Sequence, residues 1–288
     1  MYDSVPFNFL ALPDELSAYS SSRAVILPIP YDLTSSYETG TRHGPRAIIT
    51  ASRQLETYDE ELGLDPSSIG IATLPEMEQI VTGPEDMQKA IYNACCKILN
   101  DDKYVMSLGG EHSITAALVR AHKDKYPGLS VAHIDAHTDL RDTYQGGKFS
   151  HACVMSRVAE LVPFISVGVR SFSGADNEKK YRHSIIESSQ FRNNPEIFKK
   201  NVAKLTENVY ITIDLDCLDP SVMPAVGAPE PGGLNWDEVM LIINELSSNR
   251  KIVGADIVEL SPQPSLTYAD FTAAKLAYRV IVRSIFGR

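Results

Sequence analysis

The decapeptide "VAHIDAHTDL", residues 131–140, places Asp135, His137 and Asp139 at alternate positions directly after an apolar run. Two other apolar runs end in comparable chemistry. "KYVMSLGGEHS" leads into His112, and "NVYITIDLD" closes on Asp214 and Asp216. Alternate residues of a strand share a face, so Asp135 with His137, and Asp214 with Asp216, point the same way. Parallel strands bring all of these ends to one edge of a sheet, which collects four carboxylates and two imidazoles. Carboxylates buried without partners are strongly unfavourable or take up protons, and a divalent cation is the simplest partner. Mixed Asp and His ligands with oxygen in the majority suit Mn²⁺ or another borderline ion. Six ligands exceed one tetrahedral site, and carboxylates bridge well, so two ions fit. Two such ions can hold a bridging hydroxide ready to attack a carbon.

Taken singly, each piece has a plainer reading. A lone D-x-H-x-D run is weak evidence for metal. Asp214 and Asp216 alone could cap a loop, and His112 alone could cap the helix that "SITAAL" begins. Asp219, directly before Pro220, reads as a turn residue. The coincidence of three charged strand ends is what points to a metal centre.

The elements that must position these residues are legible as alternating runs. Segments 24–30, 70–75, 103–110, 129–135, 164–170, 208–216 and 251–260 read as strands with little polar alternation, the pattern of parallel strands covered on both faces. Helical patterns lie between them. Residues 82–100 carry an apolar stripe of Met87, Ile91, Ala94, Cys95 and Ile98, with Thr82 and Glu85 as an N-terminal capping box. "SITAALVRAHKDKY" follows the third strand, 235–248 precedes the last, and 267–286 closes the chain with Thr267 and Asp270 as a second box. The predicted fold is α/β, a central mostly parallel sheet with helices on both faces, and no linker divides residues 1–288. Segments 31–46 and 219–235 are long, polar or rich in Pro and Gly, and fit no element. Loops of that length in a compact domain are often functional, and 219–235 leaves the C-terminal end of a strand, where open α/β sheets bind ligands.

Composition narrows the function. The 288 residues are 43% hydrophobic, enough for a large core, and carry a net charge of −10. An acidic surface disfavours nucleic acid, whose binding relies on Lys and Arg, and mildly attracts small cations. Cys95, Cys96, Cys153 and Cys217 form no CxxC, which suggests free thiols in a reducing compartment, here the cytoplasm. The N-terminal residues lack the layout of a signal peptide. No window of 18 uninterrupted apolar residues suggests a membrane span.

"GGEHS", "DAHTDLRD" and "IDLDCLDPSVMPAVGAPEPGG" resemble the three metal-binding signatures of the ureohydrolases, the arginases, agmatinases and their relatives. The likeness runs from about residue 25 to the C-terminus and implies the three-layer arginase-like fold, two Mn²⁺ ions sharing a hydroxide, and hydrolysis of a guanidinium group to urea and an amine. By motif position His112, Asp135, Asp139 and Asp214 hold the first ion. His137, Asp135, Asp214 and Asp216 hold the second, with Asp135 and Asp214 bridging. Asp139 also accepts a hydrogen bond from the hydroxide. "KFSHACVMSR" puts His151 where the family keeps a proton-transferring histidine, a role that an imidazole pKa near 6.5 suits. "ADIVELSP" puts a guanidinium-binding carboxylate on Glu259. Without the likeness, His151 reads as a surface-loop histidine and Glu259 as a salt-bridging loop residue. Glu111 stands where the family often has Asp. The family's habit also implies a homo-oligomer, trimer or hexamer.

Within the family, "LRDTYQGGKFSHA" lacks the arginase pattern for an amino-acid end, and both it and "GAPEPGG" resemble agmatinases. The expectation is therefore a small cationic guanidino substrate, with agmatine hydrolysed to putrescine and urea. Aminopropylagmatine and arginine are the alternatives. Arg141 is the residue that could receive a carboxylate. Two other classes compete. A zinc deacetylase of related fold would need paired histidines, and "GGEHS" supplies one. A non-catalytic metal-binding homologue would have little use for His151 and Glu259 beside a full ligand set.

Overall fold

The computed structural model describes residues 5–287. The expectation of no signal peptide draws partly on residues 1–4, which lie outside that range. Among the described residues, eight strands form one sheet: β1 (Ala24–Ile29), β2 (Ile71–Thr73), β3 (Tyr104–Gly109), β4 (Leu129–Ile134), β5 (Phe164–Val169), β6 (Ile185–Glu187), β7 (Asn208–Asp214) and β8 (Lys251–Val258). Their order across the sheet is β2-β1-β3-β8-β7-β4-β5-β6. Every neighbouring pair is parallel. The sheet is flanked by helices on both faces, the three-layer arginase-like arrangement.

Successive strand residues feed opposite cores, as a period of two requires. From β1, Ala24 and Ile26 join one apolar cluster, with the helices Gly44–Ser52, Trp236–Asn249 and Thr267–Phe286. Val25, Leu27 and Ile29 join the other, with Pro84–Asn100, Thr115–Lys125 and Val154–Ala159. β4 and β5 are buried at every position. That two-sided burial is why the strand segments lack polar alternation.

Some local expectations need correction. Helix Pro84–Asn100 begins one residue after Gly83, with no side-chain cap, and Thr82 instead bonds Asp86 at 2.8 Å. Helix Thr267–Phe286 is likewise uncapped by a side chain. The reciprocal capping box sits at Trp236–Asn249, where Asn235 accepts from the Glu238 N–H at 2.9 Å and Glu238 accepts from the Asn235 N–H at 2.8 Å. Between 170 and 208 the chain adds β6 and the short helices Asp176–Lys180, Ser188–Asn193 and Glu196–Val202. β6 is only three residues long, too short for a periodic signal. All four cysteines are free. Among the described residues no helix is long and apolar enough to cross a membrane.

Candidate active site

The charged strand ends are contiguous. β3, β8, β7 and β4 are neighbours at the middle of the sheet, and they lead into His112, Glu259, Asp214 with Asp216, and Asp135 with His137 and Asp139. The turn after β3 is shaped by Gly110. A Cβ there would meet the Tyr31 carbonyl oxygen at 2.0 Å, so only glycine lets the 31–46 segment cross while the chain swings His112 inward. Asp139 and Glu259 both adopt left-handed backbone, at φ 50° and 69°. Such strain in non-glycine residues collects at sites where side-chain direction matters.

His112 Nδ1 is the hub. It lies 3.1 Å from Asp135 Oδ2, 3.2 Å from Asp139 Oδ2 and 3.2 Å from Asp214 Oδ2. It is buried and has no hydrogen-bond partner of good geometry. On the other side of Asp135, His137 Nδ1 is 2.8 Å from Asp216 Oδ2 and 3.6 Å from Asp135 Oδ1. Two groups emerge whose ligand atoms all lie within 4.8 Å of one another: His112, His133, Asp135 and Asp139 in one, and Asp135, His137 and Asp216 in the other. Asp135 belongs to both.

The electrostatics show a site short of positive charge. Burial, then the proximity of Asp216 and Asp135, raises the Asp214 carboxyl well above the ordinary carboxylate range. Burial, then Asp135, does the same in lesser degree to Asp216. Burial and Glu111 raise Glu259. Burial would also raise Asp135, but His133, His112 and His137 outweigh it and hold that carboxyl well below its usual value. Burial alone would lower His112, yet its three carboxylate neighbours raise it well above the ordinary imidazole value. Carboxylates crowded in this way favour a cation among them, and metal binding displaces the protons that such groups otherwise take up. The residues therefore fit a pair of divalent ions.

Beneath this cluster runs a polar row that the sequence reading did not single out. Ser166, His133, Thr212, Asp256 and Ser107 are register partners across five adjacent strands, and all are fully buried. His133 Nε2 meets Asp135 Oδ2 at 2.7 Å, and its Nδ1 meets Ser166 Oγ at 2.9 Å. Both ring nitrogens are thus engaged, which suits a residue that holds Asp135 in place. Thr212 donates to Asp256 at 2.6 Å, which leaves its oxygen to accept from His112 Nε2 at 2.9 Å. That bond turns His112 Nδ1 toward the carboxylates, as partners of ligating histidines commonly do. The available signal was one polar residue amid apolar neighbours in each strand, His133 in "VAHI", Thr212 in "ITI" and Asp256 in "GADIV", aligned only once strand register is known.

One cavity of about 220 Å³ covers the cluster, below the roughly 300–1,000 Å³ of drug-sized sites, which suits a narrow molecule. Its inner wall includes His137, Asp139, Asp214, Asp216 and Glu259. His151, Tyr144 and Arg141 line one side. Burial lowers the His151 imidazole below its ordinary value. Both long loops contribute, Ser35–Glu38 from one, Gly227 and Ala228 from the other. The second loop is stapled by Arg170, which donates to the carbonyls of Asp216 at 2.7 Å and Glu230 at 2.6 Å. Asp219 ties its ends, accepting from Ser221 Oγ at 2.6 Å and from the N–H groups of Gly232 and Gly233 at 2.9 and 3.0 Å.

The profile of the Arginase family matches residues 22–283. The chain belongs to the arginase family. An N(1)-aminopropylagmatine ureohydrolase of Synechocystis sp. is 36% identical, over 97% of this chain and 94% of that one. One of Thermus thermophilus is 35% identical over 94% of each chain. Among solved structures, the agmatine ureohydrolase of Thermoplasma volcanium superposes with a TM-score of 0.87 at 34% identity, covering 97% of this chain and 94% of its own. This arginase-family chain is thus a ureohydrolase-type enzyme with a clustered His and Asp metal site.

Proposed function

We propose that this protein hydrolyses the guanidinium group of an aminopropylagmatine-type polyamine, releasing urea and the free amine. The observation that carries the reading is the convergence of two adjoining His/Asp groups and Glu259 on one narrow cavity. Agmatine, the first expectation from segment 140–152, becomes the second choice, because the two near-full-length relatives described above are named for the aminopropylated compound. The mouth of the cavity supports a longer cation. Tyr37 is 77% exposed there beside exposed Glu38, an aromatic face and a carboxylate available to a secondary ammonium. Arg141 lines the same mouth and lies 5.1 Å from the Tyr144 ring centroid.

His112, Asp135, Asp139 and Asp214 would hold one ion, and Asp135, His137, Asp214 and Asp216 the other, as Mn²⁺. When bound, such a pair supplies a strongly acidified water as nucleophile and neutralises developing negative charge. The rest of the chemistry falls to the chain. The Glu259 carboxylate faces the planar guanidinium and fixes its carbon beside the cluster. Asp139 accepts a hydrogen bond from the attacking group and orients it. His151, across the cavity, relays a proton: its neutral ring nitrogen takes up the proton released as the nucleophile adds and passes it to the departing amine nitrogen, which keeps that nitrogen from leaving as an anion. The narrow cavity limits bulk water around these charges, which strengthens each interaction.

The test is a urea-release screen with added Mn²⁺ over aminopropylagmatine, agmatine, arginine and guanidinobutyrate at equal concentration. The highest kcat/KM is expected for aminopropylagmatine, followed by agmatine. Arginine or guanidinobutyrate as the best substrate would instead assign Arg141 to a carboxylate and overturn the polyamine reading. No urea from any of them, with metal bound, would overturn the enzymatic reading.

A further inference from the structure

The loop Tyr31 to Arg46 does more than wall the cavity. Asp32 organises it, accepting from the Gly40 N–H at 3.2 Å and from Arg42 Nε at 2.6 Å. Next along, Thr34 is clasped by Glu111, the residue beside "H" in "GGEHS". The Thr34 N–H donates to Glu111 Oε2 at 2.5 Å, and the Thr34 hydroxyl donates to Glu111 Oε1 at 2.7 Å. Ser113 Oγ also donates to Glu111 Oε1. On its other side the Thr34 hydroxyl oxygen meets His151 twice, accepting from the His151 backbone N–H at 3.1 Å and lying 3.3 Å from His151 Nδ1.

A threonine hydroxyl has one proton and two lone pairs. The proton is committed to Glu111, so both contacts with His151 must be accepted ones. His151 Nδ1 therefore carries the hydrogen, and Nε2 carries the lone pair in the neutral ring. Nε2 lies 3.3 Å from Ser36 Oγ, and Ser36 and His151 both line the cavity. We infer that Thr34, held by Glu111, is a positioning residue that sets the tautomer and tilt of His151 so that its Nε2 faces the substrate. The Glu111 side chain is long enough to reach both the Thr34 N–H and the Thr34 hydroxyl. The arrangement parallels a carboxylate that orients a catalytic imidazole, with a hydroxyl inserted between them. The inference rests on the proton-transfer reading of His151.

The test compares Thr34→Val, which keeps the shape and removes the hydroxyl, with Thr34→Ser, which keeps the hydroxyl, in wild-type and His151→Asn backgrounds. Metal content and kcat are measured for each, with Thr34→Ala standing in should the valine variant fail to fold. The expected result is a fall in kcat of about tenfold or more for Thr34→Val, near-wild-type kcat for Thr34→Ser, unchanged metal content, and no further loss when Thr34→Val is added to His151→Asn. The same fall in both backgrounds would show that Thr34 acts independently of His151, and overturns the inference while leaving the His151 role intact. Loss in Thr34→Ser equal to that in Thr34→Val would overturn it too, since the hydroxyl would then be irrelevant. Full activity of His151→Asn alone would instead remove the reading on which the inference stands.

Discussion

The backbone N–H of His112 donates a 2.7 Å hydrogen bond to Glu259 Oε1, so the turn that follows β3 aims the carboxylate that follows β8. One Glu259 oxygen is thereby fixed and the other faces the Gly227 side of the cavity. The pairing explains why Glu259 tolerates left-handed backbone at φ 69°. Glu259→Gln keeps the acceptor for His112 but removes the charge that pairs with a guanidinium. We expect kcat/KM to fall by about 100-fold, with metal content unchanged. Steady-state kinetics beside elemental analysis decides it, and an unchanged kcat/KM would mean the substrate is oriented elsewhere.

Chelation should expose the charge imbalance at the cluster. Protein stripped with a chelator and titrated with Mn²⁺ is expected to saturate near two ions per chain. Thermal unfolding should move up on titration, because ligand that binds only the folded state stabilises it by mass action. Asp135→Asn should weaken both ions, since Asp135 belongs to both groups. Full activity at one ion per chain would refute the paired site.

His151 belongs to neither ligand group and lines the cavity wall. His151→Asn is expected to lower kcat by about 10²–10⁴-fold and to leave metal content intact. Loss of metal in that variant would show that the residue supports the cluster instead.

Asp219 offers a pH signature in stability. The Ser221 hydroxyl, the Ser221 N–H and the N–H groups of Gly233 and Gly232 hold its carboxyl down to about 2. An unfolded Asp titrates near ~3.9. The fold therefore favours the ionised form, and this contribution is complete above the unfolded value and disappears as pH falls through about 2. Asp219→Ala should cost about 1–2 kcal/mol at neutral pH. The gap to wild type should shrink between about pH 4 and pH 2. A gap that stays constant across that range in denaturant titrations would mean that the loop ends are not held by the charge.

Much of the site was readable in advance because its chemistry is written in short local patterns. Asp135, His137 and Asp139 stand two apart just past the end of β4, and Asp216 sits in the turn Leu215–Cys217 past β7. The short spacing flags the residues, while turn geometry, including the left-handed backbone of Asp139, rather than strand alternation, gathers them. The uninterrupted apolar run of β1 and the largely apolar runs of β4 and β7, each broken by isolated polar residues, likewise announce strands buried on both faces, because such strands show no regular alternation. Helix starts were less legible. Thr82 and Asn235 both have cap chemistry, and only Asn235 caps, because whether a side chain caps depends on where the preceding loop delivers the chain.

What only the tertiary structure decided is which distant residues share a row or a hydrogen bond. The adjacency of β3, β8, β7 and β4 makes four strand ends one site, and strand order is a property of the crossovers rather than of any strand. His133, Thr212 and Asp256 are far apart in the chain and become a supporting layer through register alone. Thr34 looks like an ordinary loop residue in "YDLTSSYE", and Glu111 like a small departure from a motif. Their clasp on His151 spans 117 positions of sequence. No local preference encodes a contact of that kind, because it exists only when the sheet has brought the ends of its strands together.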